Sequence, residues 1–364
     1  MASRVNTRFV LILAGFVVVA LGIVGGLWGL QMRGDATRNI RTGDEYLAQG
    51  DFKKARSHYG RAVSKEPTNV EYVAKMEAAL LQIRPQTTDE ARELYRERLG
   101  ILRHRVRYNP TDPQPHLALI EELVGIARLF NHPSYWQLVA GAGEDMWERV
   151  PASSPKRIYA KLYRGLARRH LFRELTEEEV AEAEGDLLAF VEAVPDSDLG
   201  WASLAGARLT IGHQHDLEGE TRRATEKLEE AQETVRRALE AVPDGPEVAM
   251  VVVDHLLLKR RKDEAAVSEA EMAAAVDHMV ERVEANRSPI LVNRATQLLI
   301  RLPSLDGPAR SAAMLQRHLD DHPDAHFHRF ILARLLYRLN ELDKAYENAA
   351  AIVDAELLPV SFMS

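Results

Sequence analysis

Residues 36–69, ATRNIRTGDEYLAQGDFKKARSHYGRAVSKEPTN, read as two short amphipathic helices joined by a tight turn and closed by a proline. Gly43 and Tyr46 fall on the first helix, Gly50-Asp51-Phe52 makes the turn, and Ala55, Tyr59 and Ala62 recur along one face of the second before Pro67 stops it. These residues form a packing code. Small side chains let the helices approach, aromatic rings fill the space between them, and glycine supplies the backbone freedom of the turn.

The glycine, tyrosine, turn, two alanines, second tyrosine and proline stand at the spacing of the tetratricopeptide repeat, and residues 36–69 resemble that family. The resemblance implies an all-α, TPR-like α-solenoid whose repeats bind other proteins, a peptide or a helix lying in the concave groove. It implies no chemistry of its own.

Outward from this unit, prolines that follow apolar helical runs recur at Pro67, Pro110, Pro151, Pro195, Pro243, Pro289, Pro323 and Pro359. They lie between 34 residues (Pro289 to Pro323) and 48 residues (Pro195 to Pro243) apart. A proline cannot continue a helix and restricts its predecessor, so this rhythm marks unit boundaries. It predicts about eight helical hairpins: the well-matched repeat at 36–69, then continuing repeats over 70–359 with units ending near 110, 151, 195, 243, 289, 323 and 359. The last unit keeps Leu332-Ala333, Ala345 and Ala349, with Asn340 where glycine stands in the first. The unit ending at Pro243 carries an insertion, GHQHDLEGETRRAT, read as a longer turn or as extended helices. Glu247 to Leu258, EVAMVVVDHLLL, has the β-propensity of a strand, and its length and helical surroundings favour a buried helix over that alternative. No stretch has the composition of a flexible linker, which predicts one continuous superhelix.

Before the repeats, residues 1–8 form a short tail and Phe9 to Leu30, FVLILAGFVVVALGIVGGLWGL, is uncharged. At a rise of about 1.5 Å per residue this length spans a hydrocarbon layer of about 30 Å, so residues 9–30 read as a single transmembrane signal anchor. A removed signal peptide, with Val18-Val19-Ala20 as its cleavage site, is the competing reading, and the uncharged stretch continuing past Ala20 favours the anchor. Arginines are nearly balanced across the segment. The short leading tail places the N-terminus in the cytoplasm and the body on the periplasmic side of a bacterial membrane. The chain ends at Ser364 without a polar capping helix, so either a partner covers the last repeat or further sequence follows.

With 28% charged residues, 46% hydrophobic residues and a formal net charge of −7, the composition is that of a folded protein and gives no basis for nucleic-acid binding. Cysteine is absent, which excludes disulfides, thiolate metal sites and a cysteine nucleophile. There is no nucleophile elbow, HExxH or P-loop, so neither catalysis nor a cofactor is expected. His213, His215 and Asp216 have the composition of a metal site without its spacing, and His322, His326 and His328 diverge, so no metal is expected. Ala140-Gly141-Ala142-Gly143 reads as close helix packing, and Lys259 to Lys262 as cations complementing a helix C-terminus.

The resemblance places ligand-facing positions on the first helix of each repeat. Carried to the last unit, they select Phe327, Phe330, Arg334, Tyr337 and Arg338, residue types that anchor partners by apolar burial and bidentate hydrogen bonding. In the first unit the same positions hold Thr37, Ile40, Asp44, Leu47 and Ala48, without the lysine and asparagine of a carboxylate clamp. The chain therefore reads as a membrane-anchored interaction scaffold. The alternative is the anchor and regulatory arm of a longer enzyme or transport assembly.

Overall fold

A computed structural model describes residues 36–85 and 87–354. The anchor expected at Phe9 to Leu30, the tail at residues 1–8 and the last proline, Pro359, lie outside the described residues. Among the described residues no helix is long and apolar enough to cross a membrane.

Sixteen α-helices, with short 3₁₀ turns and no strand among the described residues, make an all-α solenoid of the kind the resemblance implies. They are α1 (Ala36–Ala48), α2 (Phe52–Lys65), α3 (Val70–Leu81), α4 (Thr88–Tyr108), α5 (Pro113–Phe130), α6 (Pro133–Arg149), α7 (Tyr159–His170) and α8 (Glu177–Ala193). There follow α9 (Asp198–Leu217), α10 (Thr221–Ala241), α11 (Pro246–Lys262), α12 (Glu269–Asn286), α13 (Pro289–Ile300), α14 (Gly307–Asp321), α15 (His326–Arg338) and α16 (Leu342–Asp354). The chain divides into two compact units, and the division runs through α4 without any linker sequence to mark it.

The first unit holds α1 to α3 and the Arg96–Tyr108 part of α4. Its packing code is visible atom by atom. A Cβ on Gly43 would stand 2.5 Å from the Tyr59 ring, so only glycine lets that ring lie flat against α1. Tyr59, Ala55 and Ala62 are fully buried, and Tyr46 stacks on His58 with ring centroids 5.4 Å apart. Phe52 opens α2 directly after Asp51, whose side chain caps the helix by accepting from the Lys54 amide at 3.1 Å. Gly50 turns the chain with a φ of 74°. Asn340 does the same at the last hairpin with a φ of 63°, and in both turns the next amide but one from the helix end reaches back: Asp51 to the Tyr46 carbonyl and Glu341 to the Leu336 carbonyl, each at 2.9 Å. Beyond Pro67, Arg105 of α4 pairs with Glu77 of α3 at 2.9 Å, and the His104 ring meets the Pro67 carbonyl at 2.7 Å.

The second unit contains α5 to α16. Helices α7, α9, α11 and α13 stack in succession as the inner helices of four hairpins, and α13 also meets α5. The winding is therefore tight enough for the first inner helix to touch the fifth. A continuous apolar core runs from Ala249 on α11 to Ala345 on α16. Thr176 and Glu179 close the capping box that opens α8.

Three local expectations resolve here. The insertion before Pro243 is taken up by extended helices, since α9 and α10 run 20 and 21 residues and only Glu218 to Glu220 turn. Glu247 to Leu258 is helical within α11. Pro289 departs from the rhythm: α12 ends at Asn286 with Arg287 left-handed, and Pro289 opens α13, a first-turn position where its missing amide leaves no bond unmade.

Candidate functional site

The five positions selected on α15 share one stripe of that helix, because 327, 330, 334, 337 and 338 fall within about 100° at 3.6 residues per turn. The opposite face, with His328, Leu332, Leu335 and Leu336, is buried. Arg334 lies over the Phe330 ring at 5.5 Å from its centroid, which holds the guanidinium planar and outward. Tyr337 is 69% exposed, and Arg334 and Arg338 are exposed as well. Phe327 stands apart from these. It borders a groove of about 420 Å³ lined by Ile126 and Leu129 near the end of α5 and by Ile290 on α13.

In the first unit Thr37, Leu47 and Ala48 of the equivalent positions are exposed, and Ile40 and Asp44 serve packing. Ile40 is buried, and Asp44 accepts from the Tyr59 hydroxyl at 2.7 Å and from Lys75 Nζ at 2.7 Å. Burial raises the Asp44 pKa, and the bonds from Lys75 and Tyr59 outweigh it, so the carboxylate is held below its ordinary value.

A second site, which the motifs do not reveal, lies within the second unit. A cavity of about 400 Å³ opens between the inner helices, walled by Arg128 (α5), Trp136 (α6), Arg169 and His170 (α7), Ser203 (α9), Glu247 and Asp254 (α11), and Arg294 and Arg301 (α13). Glu247 is the hub of its charges. Arg128 donates to Glu247 Oε1 at 2.7 Å, and Arg294 pairs with Glu247 Oε2, so one carboxylate joins α5, α11 and α13. Burial would raise the Glu247 pKa, but the two guanidinium groups prevail and hold it at about 2. Arg301 lies 3.6 Å from Asp254, whose pKa is raised by burial.

Arg169 differs from the others. Among the described residues it makes no hydrogen bond or ion pair within 4 Å, and its guanidinium lies against the backbone of α9, where a Cβ on Gly206 would stand 2.2 Å from its central carbon. Five residues earlier on the same helix, Arg164 meets Asp186 at 2.6 Å and Glu144 at 2.7 Å, so the neighbouring arginine is fully paired. Burial, aided by the repulsion of Arg294, pulls the Arg169 pKa down to about 10, which still leaves it charged at neutral pH. Beside it the His170 ring lies flat on Trp136, with centroids 3.8 Å apart and 2° between planes. The ring is open to the cavity water but enclosed by protein and by guanidinium groups, which hold the imidazole neutral. Two buried donors on the wall, Trp136 Nε1 and Ser203 Oγ, have no hydrogen-bond partner among the described residues.

The histidine sites come out differently from one another. His215 gathers with Glu218 and Glu220 rather than with His213 and Asp216, and Asp216 pairs with Lys262 at 2.8 Å instead. His215 Nδ1 lies 2.8 Å from Glu220 Oε2 without making a hydrogen bond to it. His322 and His328 both lie against His318, at centroid distances of 4.6 Å. Gly143 sits in close helix packing, where a Cβ would be 3.3 Å from the Ala160 carbonyl of α7.

Two stretches of the chain, 40–101 and 217–277, match the tetratricopeptide repeat. The first contains most of the hairpin that opens the fold, and the second runs from the end of α9 into α12. No curated protein matches the chain. Among solved structures, a tetratricopeptide repeat protein from Parabacteroides merdae is 13% identical, with 83% of this chain and 98% of that one covered and a TM-score of 0.46. The YrrB protein, described as a TPR protein with an unusual peptide-binding site, is 13% identical over 59% of this chain and 90% of its own, with a TM-score of 0.35. Human IFIT1 with PPP-AAAA is 14% identical over 83% of this chain and 68% of its own, with a TM-score of 0.39.

Proposed function

We propose that this chain is a membrane-anchored scaffold that binds a partner protein through the exposed stripe of α15 and catalyses no reaction itself. Tetratricopeptide repeats in general mediate protein–protein interactions, and two stretches of the chain match that repeat. The observation that carries the reading is that α15 keeps Arg334, Tyr337 and Arg338 exposed along one stripe beside the half-buried Phe330, while the opposite face of the helix enters the core. A ring braced by a guanidinium, with a second ring about two turns on, suits an apolar partner segment flanked by carboxylates. The uncharged segment Phe9 to Leu30 supports anchoring, with the repeats on the extracytoplasmic side.

The test is a crosslinking pull-down of the full-length chain from its native membrane, run beside an anchor-only control and the double substitution Phe330→Ala, Tyr337→Ala. We expect specific partners from the extracytoplasmic compartment, lost in the double variant while its helical melting curve is retained. A partner set equal to the anchor-only control overturns the scaffold, partners from the cytoplasm overturn the orientation, and collapse of the double variant assigns the two rings to packing.

A further inference from the structure

We propose that the arginine-walled cavity of the second unit binds a dianionic phosphate group, with Arg169 as its principal ligand. The inference is independent of the α15 surface and of any membrane attachment.

The charges require an occupant. The wall carries four guanidinium groups against two carboxylates, so the cavity holds an excess of about two positive charges. Two arginines share Glu247, which leaves one positive charge there, and Arg169 and Arg301 share Asp254, which leaves the second. A guanidinium in a recess is costly unless it is met at close range, and Arg169, although attracted by Asp254 and Glu247, makes no direct hydrogen bond or ion pair with a described residue. The fold nevertheless keeps room for it: α9 has no side chain at Gly206, and the guanidinium occupies that space.

The donors select the ligand class. Arg169 presents a fork of N–H groups, which meets two oxygens of one anion side by side. The exposed, neutral ring of His170 on the same wall can donate one further hydrogen bond. A monocarboxylate would balance half of the excess charge and accept from one direction. A phosphate monoester or free phosphate carries two charges and three terminal oxygens, which matches both the charge and the number of donors. A volume of about 400 Å³ admits that group with a small organic substituent.

Isothermal titration calorimetry of the full-length chain with inorganic phosphate tests this, at constant ionic strength and at a slightly alkaline pH where phosphate is dianionic. Malonate serves as a dicarboxylate of equal charge. Arg169→Gln removes the cation, and Gly206→Ala leaves it in place but drives its guanidinium out of the recess. We expect saturable binding to the native chain, weakened at least about tenfold in both variants, as loss of a charge-assisted hydrogen bond predicts, and malonate binding far more weakly. Without phosphate, Arg169→Gln should melt at or above the native temperature, because it relieves an unpaired charge. Absence of saturable binding, equal binding of malonate, or undiminished binding in Arg169→Gln overturns the proposal. A marked loss of stability in Arg169→Gln also overturns it, by showing the guanidinium to be part of the framework.

Discussion

The two units handle charge on their inner helices in opposite ways. In the first, Asp44 on α1 is met by Tyr59 and Lys75, so the inner face is neutralised locally and contributes to packing. In the second, Glu247 takes up two arginines from distant helices, and a third, Arg169, is attracted by Asp254 without a direct bond to it. A repeat whose polar positions answer one another makes a wall. A repeat array that encloses an unanswered charge makes a site. The difference lies in curvature within the second unit, where α13 reaches α5 and gathers side chains that an open stack would keep apart.

The largest effect should come from Glu247→Gln. It leaves Arg128 and Arg294 buried without their carboxylate, and we expect a loss of about 3–5 kcal/mol confined to the second unit. Hydrogen exchange resolved by segment under mild denaturant would show it, and equal loosening of α1 to α3 would refute the contrast between the units.

Acid should separate the units by a smaller amount. His328 is buried, donates to the Pro289 carbonyl at 3.0 Å, and lies beside His318. Burial first and then that neighbouring ring lower its pKa to about 4. Its unfolded counterpart titrates near 6.5, so below that pH the unfolded chain takes up a proton that the folded chain refuses. Stability of the second unit is therefore full above about pH 6.5 and falls with pH towards 4, by about 2 kcal/mol at about pH 5 from this residue. Asp44, a lowered carboxylate, has a dependence of the same sign in a lower window: its contribution is present above the ordinary aspartate range and is lost only as pH falls below it. Denaturation at a series of pH values should show the second unit softening first, with His328→Gln flattening its slope. A first unit that softens at the higher pH would contradict this order.

The smallest effect belongs to Asp44→Asn. The Asp44 and Lys75 side chains are 44% and 30% exposed, so solvent screens their pairing, and removing it should cost about 1 kcal/mol in the first unit. Chemical denaturation would measure it, and a loss as large as that of Glu247→Gln would remove the distinction between wall and site.

Much of the fold was legible in residues. Gly43, Tyr59 and Gly50 announce a hairpin because the Tyr59 ring leaves no room for a side chain at 43 and the turn at 50 needs a positive φ, and the proline rhythm extends that hairpin down the chain. The α15 stripe followed from helical periodicity once the repeat register was set. The cavity did not, because its members come from five hairpins and only curvature brings them together. A local signal existed all the same. Arg294 interrupts PILVNRATQLLI and Asp254 interrupts EVAMVVVDHLLL, and a lone charge inside an apolar helix is a charge that must be met by something. The division through α4 had no counterpart in composition, since the same helix serves both units.

The bond between Arg128 and Glu247 spans 119 residues of chain. Repeat arrays ordinarily fold by contacts between neighbours and can nucleate anywhere and spread. A lock of this length imposes a different order of events: the intervening hairpins must form before α5 and α11 can meet, and the entropy of closing so long a loop is offset only at the end. Such a bond couples hairpins that contacts between neighbouring repeats would leave independent.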